Sequence, residues 1–280
     1  MAKKNDQPQY YISKINTQVL NYNVYIMKPT EKLLYGLMLL VAGGVVGLIF
    51  YSGLFKVDGQ ATLATYISNL VVFLLVGLLA NRYFMPTITE SLRVKRLNKL
   101  KSQFCDFASA LTNALASGMN MNDALLAVYN DLKAQYSEEA FIVLETQEII
   151  NGMRNNIPVE VMLEDFGIRS GVADITNFAT VFATCYRTGG NIRSVVRRTT
   201  DIISEKIMIN SEIETAITSN KMQMNVMNVL PIVIVLLMRL LSPDFANSFA
   251  TIIGVVGLTV SAALTVASFK LGQKIMNITG

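Results

Sequence analysis

The 280-residue chain places 52% of its residues in the apolar set and only 16% in the charged set, with a formal net charge of +4. Soluble domains carry about 25% charged residues, so this composition excludes an ordinary soluble enzyme. The absence of His removes imidazole acid–base chemistry and His metal ligation, and the two cysteines, Cys105 and Cys185, are too few and too far apart for a disulfide framework or a zinc site.

In chain order, a polar lead-in of about 30 residues precedes an uncharged apolar block at 33–55, introduced by Pro29-Thr30-Glu31. Thr30 is the expected N-cap there, and the lead-in is too long for a cleaved signal peptide. Lys56-Val57-Asp58-Gly59-Gln60 reads as a tight turn into a second block at 61–80, which stops at Asn81-Arg82. Two further blocks lie at 222–241 and 245–269, joined by a turn at Ser242-Pro243-Asp244. Each block is long enough to span a hydrocarbon core of about 30 Å.

Between the pairs of blocks, a new helix is expected from Pro86. Its apolar face is Leu97, Leu100, Phe104, Phe107, Leu111 and Leu115, and Gly118 ends it in the left-handed C′ position. Asn120 or Asn122 caps the next helix. A third is expected to start at Ser137-Glu138-Glu139 and to break at Gly152. A fourth has Pro158 in its first turn and ends at Gly167. Residues 174–198 then repeat 103–127 at an offset of 71. Phe107 matches Phe178, Ser117-Gly118 matches Thr188-Gly189, and Asn120 matches Asn191. Each copy is an αα-hairpin turned by a glycine C-cap and an asparagine N-cap. After Gly190 the chain reads as one helix of about 50 residues entering the third block, on which Ile192, Val195, Thr199, Ile202, Ile209, Ile213, Ala216 and Met227 form a near-heptad stripe with Lys206, Asn220 and Gln223 as polar members.

Charge sets the orientation. Lys3, Lys4, Lys14, Lys28, Lys32, Arg82, Arg93, Lys95, Arg96, Lys99, Lys101, Lys270 and Lys274 fall on one side of the four spans, against Lys56 and Arg239 on the other. The positive-inside rule then places both termini and the polar domain in the cytosol. The basic excess faces anionic lipid, and residues 82–223 hold 15 Lys and Arg against 16 Asp and Glu, so no nucleic-acid footprint is present. Domain boundaries follow: a cytosolic N-terminal segment 1–32, a transmembrane hairpin 33–80, a cytosolic helical domain 81–221, a second transmembrane hairpin 222–269 and a cytosolic tail 270–280. The fold class expected is all-α: a polytopic membrane protein with four transmembrane helices and a cytosolic bundle containing two repeated helical hairpins.

No catalytic, cofactor or metal site is legible. There is no Walker-type loop, and Gly189-Gly190-Asn191 reads as a helix cap. The carboxylate pairs Glu138-Glu139 and Glu164-Asp165 are expected on solvated helix faces. Residues 138–174 hold eight acids (Glu138, Glu139, Glu145, Glu148, Glu160, Glu164, Asp165, Asp174), whereas 175–200 hold Arg187, Arg193, Arg197 and Arg198 with no acid. These charges read as solvated faces that pair with one another, or as a docking surface. In the spans, Arg239 is expected to snorkel to the outer interface, and Gly43-x-x-x-Gly47, Gly257-x-x-x-Ser261 and Ala263-x-x-x-Ala267 are close-packing patterns.

Phe104-x-x-Phe107, Ala116-Ser117-Gly118-Met119-Asn120, Arg187-Thr188-Gly189-Gly190-Asn191 and Ile202-Ile203-Ser204-Glu205-Lys206-Ile207, set between two pairs of spans, and Leu230-Pro231 within the third span resemble the type II secretion system F domain family. Within it the chain is most similar to the TadB/TadC-like inner-membrane platform proteins of Tad (Flp) pilus systems. The resemblance covers about residues 100–280 and leaves the first 30 without a counterpart. It implies a non-enzymatic, multi-pass scaffold of the plasma membrane. Its partners would be a cytosolic secretion or pilus-assembly ATPase, pilin subunits and a second platform subunit or another copy. On that reading Arg193, Arg197 and Arg198 are the candidate partner interface, and Gly118, Asn120, Gly189 and Asn191 are structural turns. A small-solute transporter or channel subunit with a cytosolic coupling domain is the alternative, and the nearly charge-free spans favour the scaffold.

Overall fold

The structure, a computed structural model, describes residues 8–52, 61–242, 248 and 251–277. The expected turns at 56–60 and 242–244 therefore lie outside the described residues, except for Ser242. The fold is all-α and polytopic, with a small β-hairpin near the N-terminus. Strands β1 (Tyr10–Ile12) and β2 (Gln18–Leu20) pair antiparallel, Tyr10 opposite Leu20. The helices are α1 (Pro29–Tyr51), α2 (Leu63–Ala116), α3 (Met121–Gln135), α4 (Phe141–Arg154), α5 (Val159–Ser170), α6 (Ala173–Arg187), α7 (Ile192–Leu241) and α8 (Ile252–Asn277). Four of them, α1, α2, α7 and α8, are long and apolar enough to cross a membrane.

Several helix boundaries differ from expectation, each for a local reason. The second span and the helix after it are one 54-residue helix running through Pro86. A proline frees the carbonyl four residues earlier. Here that residue is Arg82, which is exposed, so solvent or headgroups can satisfy the group. Helix α1 has Lys28, not Thr30, at its N-cap, and Glu31 reaches back to the Lys28 amide. Helix α4 starts at Phe141, after Ser137-Glu138-Glu139, and runs through Gly152. A Cβ on Gly152 would lie 2.6 Å from the Met162 sulfur, so this glycine admits a neighbouring side chain and does not break the helix. Pro158 is the N-cap of α5, and α5 passes Gly167 to end at Ser170, with Gly171 left-handed at φ +65°. At Gly167 a Cβ would sit 3.1 Å from the Thr176 Cα of α6, so α5 and α6 are in close contact there.

The chain divides into two compact units. One joins the described residues up to Ile26 to Thr89–Ile209. Its core comes from the face expected on α2, with Leu100, Phe104, Phe107 and Leu111 fully buried, packed with buried residues of α3 to α6 and with Val196 and Ile203 of α7. Aromatic rings run through it in contact: Tyr22 with Phe166, Phe166 with Phe104, Phe104 with Phe178 at 5.2 Å edge to face, then Phe178 with Phe182 and Phe182 with Tyr186. Phe107 and Phe178, equivalent in the repeat, are both fully buried.

The other unit joins Met27–Ile88 to Asn210–Gly280. Here Gly43 and Gly77 let α1 and α2 touch backbone to backbone. A Cβ on Gly43 would lie 2.6 Å from the Ala80 Cβ, and one on Gly77 would lie 2.6 Å from the Leu40 carbonyl. The Gly43-x-x-x-Gly47 pattern thus serves contact within one chain, whereas nothing among the described residues stands within 4 Å of a Cβ at Gly257.

Candidate functional site

The two glycine turns are built alike. At the first, Gly118 has φ +89°, its amide donates to the Leu115 carbonyl (3.2 Å), and the Met119 amide donates to Ala114 (3.3 Å). At the second, Gly189 has φ +69° and the Gly190 amide donates to Cys185 (3.0 Å). Both close their helices with the six-to-one bond of a Schellman motif. Each is followed by an asparagine cap: Asn120 Oδ1 accepts from the Asp123 amide (2.9 Å) and Asn191 Oδ1 from the Ser194 amide (3.2 Å). Asn120, not Asn122, is therefore the cap of α3. Leu115 and Met121 beside the first turn, and Tyr186, Ile192 and Arg193 beside the second, line one shallow cleft.

The arginines of 187–198 are all exposed. Arg187 approaches Glu160 (3.8 Å) and Glu164 (3.5 Å) of α5. Among the described residues Arg193, Arg197 and Arg198 make no ion pair, because Val196 and Thr200 turn the other face of α7 into the core. Half of the acidic cluster does not lie on a solvated face. Glu145, Glu148, Glu160 and Asp174 are buried. Asp174 accepts from Lys206 (2.7 Å) and Lys101 (2.9 Å). Burial pushes its carboxyl pKa up, but the hydrogen bonds from Lys206 and Lys101 outweigh burial, and the net shift is downward.

The sequence reading missed a buried network that docks the N-terminal segment on α4 and α5. Arg169, 4% exposed, donates from Nη1 to Glu145 Oε1 (3.0 Å), from Nη2 to Glu145 Oε2 (2.8 Å) and from Nε to Asp165 (2.7 Å). The Tyr22 hydroxyl donates to the same Glu145 Oε1 (2.9 Å), and the Tyr22 amide donates to the Arg169 carbonyl (3.2 Å). Thr17 donates to Glu148, and Arg93 and Arg96 hold Asn23 and the Val24 carbonyl. Burial first, and the Glu145 charge second, raise the Tyr22 pKa well above its usual value. Arg169 is also shifted: burial lowers its pKa, yet bonds to Glu145 and Asp165 win and hold it charged. The available signals were weak, namely the Asp165–Arg169 spacing of four and the apolar spacing Val19, Tyr22, Val24.

In the other unit, Arg239 is bonded to the end of α1. Its Nη1 donates to the Ser52 carbonyl (2.7 Å) and Oγ (2.5 Å), and its Nη2 to the Phe50 carbonyl (2.7 Å). A guanidinium thus sits on the last carbonyls of α1, where the helix dipole is negative.

Among known proteins, residues 107–239 match the family model for type II secretion system (T2SS), protein F. No curated protein and no solved structure matches the chain. The matched segment takes in both glycine turns, the core residues from Phe107 onward and α7 as far as Arg239, and it supports the type II secretion system F family for this chain.

Proposed function

We propose that the chain is a non-enzymatic platform of a type II secretion-like or Tad-type pilus machine in the plasma membrane. Both termini and residues 82–221 face the cytosol, with residues 33–80 and 222–269 as its two transmembrane hairpins. A cytosolic secretion ATPase docks on it through Arg193, Arg197 and Arg198, and its movement is passed to pilin subunits entering a filament, beside a second platform subunit. The observation that carries this reading is the exposed arginine set at the start of α7, without an ion pair among the described residues and inside the matched segment. Three acids of the preceding cluster are engaged by other cations: Asp174 by Lys101 and Lys206, Glu160 and Glu164 by Arg187. Load applied to α7 there acts on the same 50-residue helix that carries the third span.

The test is recovery of a candidate ATPase on immobilised wild-type chain and on the triple variant Arg193→Glu, Arg197→Glu, Arg198→Glu. Recovery should fall about tenfold or more, equivalent to about 1.4 kcal/mol, with helical content unchanged. Rim charges act through association rate and salt dependence, so the difference should shrink as salt rises. Equal recovery at low and moderate salt refutes this docking face.

A further inference from the structure

Helix α7 presents more apolar surface than its own chain covers. Ile213, Ala216, Asn220, Gln223, Met227 and Leu230 follow one another at alternating steps of three and four, and Ile234 and Leu237 keep the same register. All eight are exposed, with Met227 at 68% and Leu230 at 52%. The chain's own contacts use a different face. Met224 packs on Gly272, Asn228 and Ile232 line a cleft shared with α1, α2 and α8, and Arg239 bonds to the end of α1. At about 100° per residue that inner face is centred about 120° from the heptad face.

We infer that residues 213–237 of α7 form a parallel, in-register, two-stranded interface with a second copy of this chain. A heptad stripe is self-complementary when two helices run in the same direction, as copies inserted alike in one membrane do. Ile213, Asn220, Met227 and Ile234 then form one set of layers, and Ala216, Gln223, Leu230 and Leu237 the other. A single asparagine at such a position favours two strands in one register. Among the described residues the side-chain amides of Asn220 and Gln223 make no hydrogen bond. They lie where α7 enters its apolar stretch, a setting in which side-chain amides bond between helices. Charge raises no obstacle, since the flanking Glu212 meets Ile217 of a parallel copy and like charges do not face each other.

The test uses the full chain in native membranes, with Cys105→Ser and Cys185→Ser, adding one cysteine at a time. Ala216→Cys, Asn220→Cys, Gln223→Cys and Met227→Cys sit on the stripe, and Glu214→Cys, Thr218→Cys and Asn225→Cys on the opposite face. On mild oxidation, disulfides between two differently tagged copies should exceed the opposite-face yield at least tenfold at all four stripe positions. Equal yields on both faces, a maximum on the opposite face, or disulfides only to a different chain overturn the inference. Independently of added cysteines, Ile213→Glu should cut co-purification of the differently tagged copies tenfold while Thr218→Glu leaves it unchanged. Undiminished co-purification of Ile213→Glu overturns it as well.

Discussion

Replacing Arg169 by methionine tests whether the buried network holds the helical unit together. Arg169 and Glu145 are each 4% exposed and joined by two charge-assisted bonds, so Arg169→Met leaves a buried carboxylate that, among the described residues, is bonded to the Tyr22 hydroxyl alone. Breaking a buried pair from one side costs about 3–5 kcal/mol. For a unit of this size about 2–4 °C of melting temperature is lost per kcal/mol, so a 3 kcal/mol loss lowers the transition by about 6–12 °C. Tyr22→Phe removes one bond to a charged acceptor, worth about 1.5–3 kcal/mol, and keeps the ring against Phe141 and Phe166. The double variant Arg169→Met, Glu145→Leu removes the fully buried pair and should melt above Arg169→Met alone, since the carboxylate then left without Arg169 is that of Asp165, which is more exposed than Glu145. Circular dichroism melts of the full chain in detergent measure all three. A single Arg169→Met variant that melts within 2 °C of wild type, or a double variant that melts lower than the single, refutes the reasoning.

Gly118→Val and Gly189→Val should each cost about 1–2 kcal/mol, read as a lowered melting temperature. Among the described residues nothing lies within 4 Å of an added Cβ at either site, so the cost is one of backbone conformation, and Gly→Asn should recover much of it. Gly77→Leu should disrupt the α1–α2 contact against the Leu40 carbonyl, read as rapid proteolysis of the membrane-inserted chain where wild type resists. Asp174→Asn should destabilise by about 1.5–3 kcal/mol at pH 7. Because the carboxyl pKa is lowered in the folded chain, its stabilisation is present above the unfolded value near 3.9 and is lost as pH falls through the folded value. The gap between wild type and variant should therefore close below pH 4, as measured by melting at stepped pH. Cysteines placed at 58 and 244 should react with an impermeant reagent in intact cells and one at 14 should not; the reverse pattern overturns the proposed orientation.

The all-α class, the four apolar helices, the 50-residue α7 and both glycine turns were readable because each rests on local chemistry: run length, period, or a glycine and asparagine at fixed spacing. What escaped was set by distant neighbours. Gly152 and Gly167 look like helix breakers until Met162 and Thr176 are known to occupy the space beside them. Arg169 looks like any surface arginine four residues from an aspartate, and nothing near it in sequence announces Glu145 or Tyr22. The interface expectation for Arg239 names no partner, and its partners are carbonyls at the end of a helix 187 residues earlier. Of the arginine set, the pattern of Val196 and Thr200 on the core side fixed which residues remain outside.

The docked N-terminal segment imposes an order on biosynthesis. Tyr22 leaves the ribosome 123 residues before Glu145, the acceptor of its hydroxyl. At about 5–20 residues per second this is a wait of about 6–25 s. During that interval α1 and the apolar half of α2 must be handed to the membrane, while Val19, Tyr22 and Val24 remain without the surface that buries them. The segment is therefore a late-closing seal. A ribosome-bound chain stopped before Glu145 should leave residues 8–26 open to protease, and one long enough to expose Arg169 outside the exit tunnel should protect them.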